Sequence, residues 1–307
     1  MEKYHEAVFR KKAVEFLNIK KNGIYVDATL GGAGHSSEMF EISTDIKVLA
    51  FDMDKDAIKF SKNKLEKFKN KIIFVNKNFS YLTSAMALNY WDAIDGIIFD
   101  LGVSSFQINE KNRGFSFMNN AKLDMRMLQN GNTSAFEVVN YYSEERLGKI
   151  IKEFGEEKYW KNITKNIVKG RKKSQIETTF ELKNIVEKIV PQKNSIKSVA
   201  RVFQAIRIEV NNELESLKKG LESALSVLKK GGRIVVISYH SLEDRIVKNF
   251  FKYENLECIC PPKFPKCVCD KEKRLDIITK RPRTPSKKEI EKNPKARSAK
   301  LRVAERC

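Results

Sequence analysis

Short apolar runs of strand length recur through the first hundred residues: Ile24-Tyr25-Val26, Val48-Leu49-Ala50-Phe51, Ile72-Ile73-Phe74-Val75 and Ile97-Ile98-Phe99. They are rich in β-branched and aromatic residues, as buried strands are. Helical-period segments lie among them. Val8, Phe9, Ala13, Phe16 and Leu17 predict a lead-in helix over 6–17, and a further helix is predicted over 57–68. Four strand–helix units of this kind predict an α/β fold built on a parallel, doubly wound sheet. Ligands of such sheets sit outside the carboxyl ends of the strands, so Asp27, Asp52, Phe79 and Asp100 are expected to converge on one rim.

The pattern changes after Asp100. No strand-like run returns until Ile234-Val235-Val236-Ile237, and helices are predicted over 134–154, 156–171 and 178–190. Ser134-x-x-Glu137 and Thr178-x-x-Glu181 read as capping boxes for the first and third of these. A structureless loop of roughly ninety residues is improbable inside a domain, so an inserted helical domain is predicted. The expected organisation is a first part of the sheet domain over 1–105, the insert over 106–198, and a second part over 199–307. A helix over 201–217, with Phe203, Ile206, Val210, Leu214 and Leu217 on its apolar face, is expected to return the chain to the sheet. The strand over 233–238 then ends in Tyr239-His240-Ser241. Short strands over 276–279 and 299–303 are expected to close the sheet as a hairpin.

Between the first strand and the next helix lies Val-Asp-Ala-Thr-Leu-Gly-Gly-Ala-Gly-His-Ser, residues 26–36. A glycine-rich turn leading into a helix N-terminus is the ligand-binding turn of a Rossmann-like sheet. A dinucleotide fingerprint would need a third glycine where Ser37 stands, and Asp27 before the turn would repel a pyrophosphate. It would instead suit a cationic ligand such as S-adenosylmethionine. Asp52, after the second strand, is placed to read a ribose diol in either ligand class.

Charge changes the picture next. With 59 Lys and Arg against 39 Asp and Glu, the net charge of +20 implies a polyanionic partner. Lys158, Lys161, Lys165, Lys169, Arg171, Lys172 and Lys173 cluster on the middle helix of the insert. No apolar run approaches membrane-span length, and the N-terminus is charged, so a cytoplasmic protein is expected. Four of the five cysteines form two pairs, Cys258-x-Cys260 and Cys267-x-Cys269. Structural zinc sites usually space their cysteines by two to four residues, so this spacing argues for a reduced, exposed loop, and no metal is assigned.

The motifs DATLGGAGHS, DLGVSS from Asp100, RGFSF from Arg113, LDMRM from Leu123, RVFQAIRIEVNNEL from Arg201, ISYHSLEDR from Ile237 and RSAKLRVAER from Arg297 are similar to those of a known family. They resemble the bacterial small-subunit rRNA cytosine-N4 methyltransferases, the MraW or RsmH family, from His5 to the C-terminus. The resemblance implies a class I S-adenosylmethionine-dependent methyltransferase domain interrupted by a small helical domain. Its implied partner is 16S rRNA of the small ribosomal subunit, methylated on N4 of a cytosine in the decoding centre. It also implies cofactor contacts at Ala33, Gly34, His35, Asp52, Phe79, Asp100 and Gln107, the last resting on resemblance alone.

Cytosine N4 is a poor nucleophile because its lone pair is delocalised, so the site needs an acceptor for N4–H and a route for the proton. Asp100 has the right address for that role. It is followed by Leu101-Gly102-Val103 rather than an aromatic, which leaves Phe106, Phe115 and Phe117 as the nearest stacking candidates. His240 is a second candidate proton acceptor, and Ser241-x-x-Asp244 equally suggests a helix cap at this point. Asp124 and Arg126 read either as an internal ion pair or as a substrate clamp. Two other classes stay open: a nucleotide-dependent oxidoreductase and a non-catalytic RNA-binding assembly factor. Sequence does not give the oligomeric state.

Overall fold

The computed structural model describes residues 7–103, 110, 113–128, 131, 133–261 and 267–307. Its sheet comprises β1 (Ile24–Asp27), β2 (Lys47–Phe51), β3 (Ile72–Val75), β4 (Ile94–Asp100), β5 (Leu228–Ser238), β6 (Leu275–Ile277) and β7 (Lys300–Arg306). The order is β3-β2-β1-β4-β5-β7-β6. Strands β1 to β5 are mutually parallel, whereas β7 runs antiparallel to both β5 and β6. This is the class I methyltransferase arrangement of a doubly wound sheet, with the expected C-terminal hairpin at one edge. β5 starts earlier than predicted, because a register irregularity opposite Ile94 and Gly96 admits residues 228–232 ahead of the apolar run.

Strand periodicity sends alternate residues to opposite faces. Val48, Ala50, Ile98, Val235 and Ile237 pack with helices Arg10–Leu17 and Gly34–Ile42 on one side. Leu49, Phe51, Ile97, Phe99, Ile234 and Val236 pack with helices Leu82–Leu88, Glu213–Val227 and Ser241–Glu254 on the other. Burying each large apolar side chain contributes about 1.5–3 kcal/mol, so two dry faces fix the strand ends where the rim residues stand.

The chain divides into two compact units, Met1–Gly102 with Leu214–Cys307, and Val103–Glu213. Both predicted capping boxes of the helical unit are formed, at Ser134 with Glu137 and at Thr178 with Glu181. The segment expected as one helix over 134–154 is two, Ala135–Tyr141 and Glu144–Glu153, with Ser143 capping the second. The helix expected over 201–217 is also two. Asn212, left-handed at φ 49°, ends Ser195–Asn211 before Glu213–Val227 begins. Val199, Val202, Phe203 and Ile206 bury themselves in the helical unit, so this unit ends at Glu213 rather than at residue 198.

Candidate functional site

The rim is assembled at the tips of β1, β2 and β4. Asp27 closes β1 but faces no ligand, contrary to the expectation of a carboxylate set against a cationic one: it is 0% exposed. Its Oδ2 accepts the Ser36 hydroxyl at 2.6 Å, and its Oδ1 accepts the Thr29 amide at 3.3 Å. Burial pushes its carboxyl above the ordinary carboxylate range, partly offset by His35 and these donors. Asp27 therefore ties the glycine turn to the helix that follows.

That turn ends in Ala33, left-handed at φ 55°, which caps helix Gly34–Ile42 without a side-chain hydrogen bond. Gly34 must lack a side chain, since a Cβ there would lie 2.6 Å from the Cβ of Ala7. The first turn of the helix thus begins close against the N-terminal segment, its cap residue supplying no side-chain acceptor.

Asp52 stands just beyond β2. Its Oδ2 accepts the Gly31 amide at 2.8 Å and its Oδ1 accepts the Asp54 amide at 2.8 Å. Burial pushes the carboxyl up to about 7 despite these two donors. Asn76 donates to the Asp52 and Met53 carbonyls at 2.9 and 3.1 Å, fixing the backbone behind it. Phe79 follows β3, its ring edge-on to Phe99 with centroids 5.3 Å apart. A Cβ on Gly220 would come within 2.6 Å of that ring, so the glycine is what lets helix Glu213–Val227 approach it.

Asp100, at the tip of β4, is held by three groups. Its amide donates to the Thr29 hydroxyl at 2.7 Å. Tyr239, just past β5, donates its hydroxyl to Oδ1 at 2.7 Å, and His35 Nε2 lies 3.3 Å from Oδ2. His35 is 3% exposed, and burial alone would lower its pKa. The Asp100 and Asp27 carboxylates outweigh burial and raise it. Burial, followed by the Asp100 carboxylate, holds Tyr239 well above the usual phenol range, so its hydroxyl remains a donor. His35, expected as a cofactor contact, turns its side chain to Asp100. Sequence reasoning missed Tyr239 as a partner of Asp100; its signal was only its position beside β5, which pairs Asp100 with Ile237.

His240 is the N-cap of helix Ser241–Glu254, in a capping box with Glu243. Its Nδ1 accepts the Glu243 amide at 3.4 Å, and its Nε2 lies 3.1 Å from Glu243 Oε1. The cap is one residue earlier than the expected Ser241-x-x-Asp244 pairing, because Asp244 is taken by Arg302 at 2.7 Å and Lys300 at 3.0 Å. Asp124 and Arg126 form an internal pair, Nε to Oδ1 at 2.9 Å and Nη2 to Oδ2 at 2.7 Å. Gln107 and Phe106 lie outside the described residues.

On helix Trp160–Arg171 and just beyond it, Lys161, Lys165, Lys169, Lys172 and Lys173 are exposed, as is Lys158 ahead of it. Arg171 departs from this set: its guanidinium donates to the Val139 and Tyr142 carbonyls at 2.6 and 2.5 Å. The four cysteines are free, Cys258 and Cys267 exposed and Cys260 and Cys269 half-buried, as expected of a reduced, exposed loop, and their sulfurs all lie within 4.8 Å of one another.

An acidic acceptor after β2, a turn with amides left for a ligand and an aromatic ring after β3 fit an adenosyl cofactor. Among the described residues, no helix is long and apolar enough to cross a membrane. The MraW methylase family model matches residues 2–307. Three relatives named ribosomal RNA small subunit methyltransferase H are about half identical to the chain. That of Caldicellulosiruptor saccharolyticus is 50% identical over 98% of this chain and 99% of its own. Those of Clostridioides difficile and Carboxydothermus hydrogenoformans are 48% and 49% identical, each over 100% of this chain and 100% and 99% of their own.

Proposed function

The chain belongs to the MraW methylase family of S-adenosylmethionine-dependent methyltransferases, and on that premise we propose that it methylates N4 of a cytosine in the decoding centre of 16S rRNA. The observation that carries this reading is Asp100, a rim carboxylate clamped by Tyr239 and His35. An ionised carboxylate has about four lone-pair sites, so two remain for the amino group of a base.

Asp52 would hold the ribose hydroxyls of the cofactor, the amides of Gly34 and His35 beside Ala33 would hold its polar end, since the Ala33 amide itself donates to the Leu30 carbonyl at 2.7 Å, and the Phe79 ring would lie against its base. Gln107 joins them on the strength of the family motif. When bound, the cofactor supplies a methyl group already activated by a sulfonium, so the protein's task is chiefly positioning. Asp100 accepts a hydrogen bond from N4–H, which draws the amine toward a pyramidal, nucleophilic form, and it receives the proton that N4 sheds. Tyr239 and His35 keep the carboxylate aimed and unable to rotate. His240 is not the acceptor in this scheme. Its Nδ1 takes the Glu243 amide and its Nε2 faces Glu243 Oε1, so both ring nitrogens are engaged in the helix cap.

The exposed lysines of 158–173 give the enzyme its grip on the rRNA backbone, as expected of a basic cytoplasmic protein acting on a polyanion. The target base must leave its stack to reach a rim carboxylate. Incubating purified protein with tritiated S-adenosylmethionine and undermethylated small subunits tests this reading. Label is expected in 16S rRNA, and none in large-subunit rRNA when large subunits are offered in a parallel incubation. Binding without label would favour the assembly-factor alternative instead.

A further inference from the structure

The four cysteines between helix Ser241–Glu254 and β6 carry a chemistry that methyl transfer does not use. Cys258 Sγ lies 3.5 Å from Cys267 Sγ and 3.6 Å from Cys269 Sγ, Cys267 Sγ lies 3.6 Å from Cys269 Sγ, and Cys260 Sγ lies 3.9 Å from Cys267 Sγ. A tetrahedral zinc–thiolate site with bonds of about 2.3 Å has sulfurs about 3.8 Å apart. Two disulfides would instead pair the sulfurs off at about 2.05 Å. Here Cys267 is close to all three others, an arrangement that one central ion satisfies and pairwise bonding does not.

The backbone is arranged for thiolates as well. The Ile259 amide donates to Cys269 Sγ at 3.4 Å, the Cys260 amide to Cys258 Sγ at 3.3 Å, and the Val268 amide to Cys260 Sγ at 3.4 Å. Amides aimed at ligand atoms are the outer-shell support that orients metal ligands and spreads their charge. The one-residue spacing within each pair argues against a metal when read along the chain. Folded, the two pairs face each other and together supply four donors.

We propose that Cys258, Cys260, Cys267 and Cys269 bind one zinc ion as a tetrahedral four-thiolate structural site. Four S–H bonds break, four Zn–S bonds form and four protons pass to solvent, with no change in oxidation state. The site then carries two net negative charges, close in sequence to Lys271, Lys273 and Arg274. Four protein ligands leave no open position, which is the signature of a structural rather than a catalytic zinc. The ion ties Cys258 and Cys260 to Cys267 and Cys269, beside a junction already closed by Glu254 with Arg274 at 2.7 Å and by Asn255 with the Leu275 carbonyl at 2.9 Å.

The test uses the full chain, purified without added chelator, and combines native mass spectrometry with elemental analysis. One zinc per chain is expected, with Cys307 the only thiol quickly titrated by a disulfide reagent until the metal is removed. Cobalt(II) added to the reduced, metal-free chain should give the intense absorption of a tetrahedral thiolate site. Cys267→Ser should bind zinc at least about tenfold more weakly, having lost one of four ligands. Two disulfides in the native chain, or a fully reduced chain that neither carries zinc nor takes up zinc or cobalt, would overturn the proposal.

Discussion

Tyr239 donates its hydroxyl to Asp100 across 2.7 Å, joining the residue just past β5 to the tip of β4. Charge-assisted hydrogen bonds of this kind are stronger than neutral ones and fix one carboxylate orientation. Tyr239→Phe removes the donor and keeps the ring. A hydrogen bond to a charged group contributes about 1.5–3 kcal/mol, so single-turnover methylation should fall roughly tenfold to a hundredfold with cofactor saturating. Cofactor affinity should change far less. A variant with wild-type rate would detach Tyr239 from the positioning of Asp100.

Asp52 predicts a pH dependence. Its carboxyl titrates at about 7, so below that pH it is increasingly protonated and one oxygen ceases to accept from the ribose. The dissociation constant for S-adenosylmethionine should therefore rise as pH falls through about 7. The sign for folding is opposite. The raised pKa means the native state binds more protons than the unfolded one, so this group's contribution to stability is present below the ordinary carboxylate range and is lost as pH rises through about 7. Asp52→Ala should weaken the cofactor by about 1.5–3 kcal/mol and abolish the pH slope, both readable by calorimetric titration. An unaltered titration would place the ribose elsewhere.

The lysines of the helical unit make a salt prediction. Replacing Lys165, Lys169 and Lys172 with Gln should weaken rRNA binding and flatten its dependence on salt, by up to about 0.7–0.9 in the log–log slope for each phosphate no longer neutralised. Arg171 belongs outside this set because it holds two backbone carbonyls, and replacing it would damage the unit itself. Filter binding across a salt series decides the matter: an unchanged slope would make these lysines a solvated face.

His240→Asn separates a cap from a catalyst. Asn is among the best N-cap residues, whereas Ala at such a position costs about 1 kcal/mol. The Asn variant should keep its thermal midpoint and its methylation rate. The Ala variant should lose stability but keep its rate once folded. Collapse of the rate in a stable Asn variant would make His240 the proton acceptor.

Much of this arrangement is legible in the chain. Strand runs ending at Asp52 and Asp100 are apolar on both faces, so their period and their ends are plain in the sequence, and the capping boxes at Ser134 and Thr178 are local signals. What is not legible depends on pairings between distant residues. Asp27 is consumed by Ser36, and Asp244 by Arg302, which no local pattern reveals. Asn212 breaks an otherwise continuous helical pattern by adopting a left-handed conformation that Asn tolerates. The cysteine pairs look unsuited to a metal in the sequence because spacing along a chain says nothing about two segments folding face to face.

The proposed reaction turns on Asp100, and digestion of 16S rRNA to nucleosides with mass-spectrometric mapping tests it most directly. After single-turnover reaction with saturating S-adenosylmethionine, the wild-type chain should yield N4-methylcytidine at one decoding-centre position. Asp100→Asn, which keeps the size but loses the charge, should yield at least about a hundredfold less, the low end of general acid–base effects, with rRNA affinity little changed. A methyl group on another base or another atom would contradict the proposed substrate, and near-normal N4-methylcytidine from Asp100→Asn would contradict the role given to Asp100.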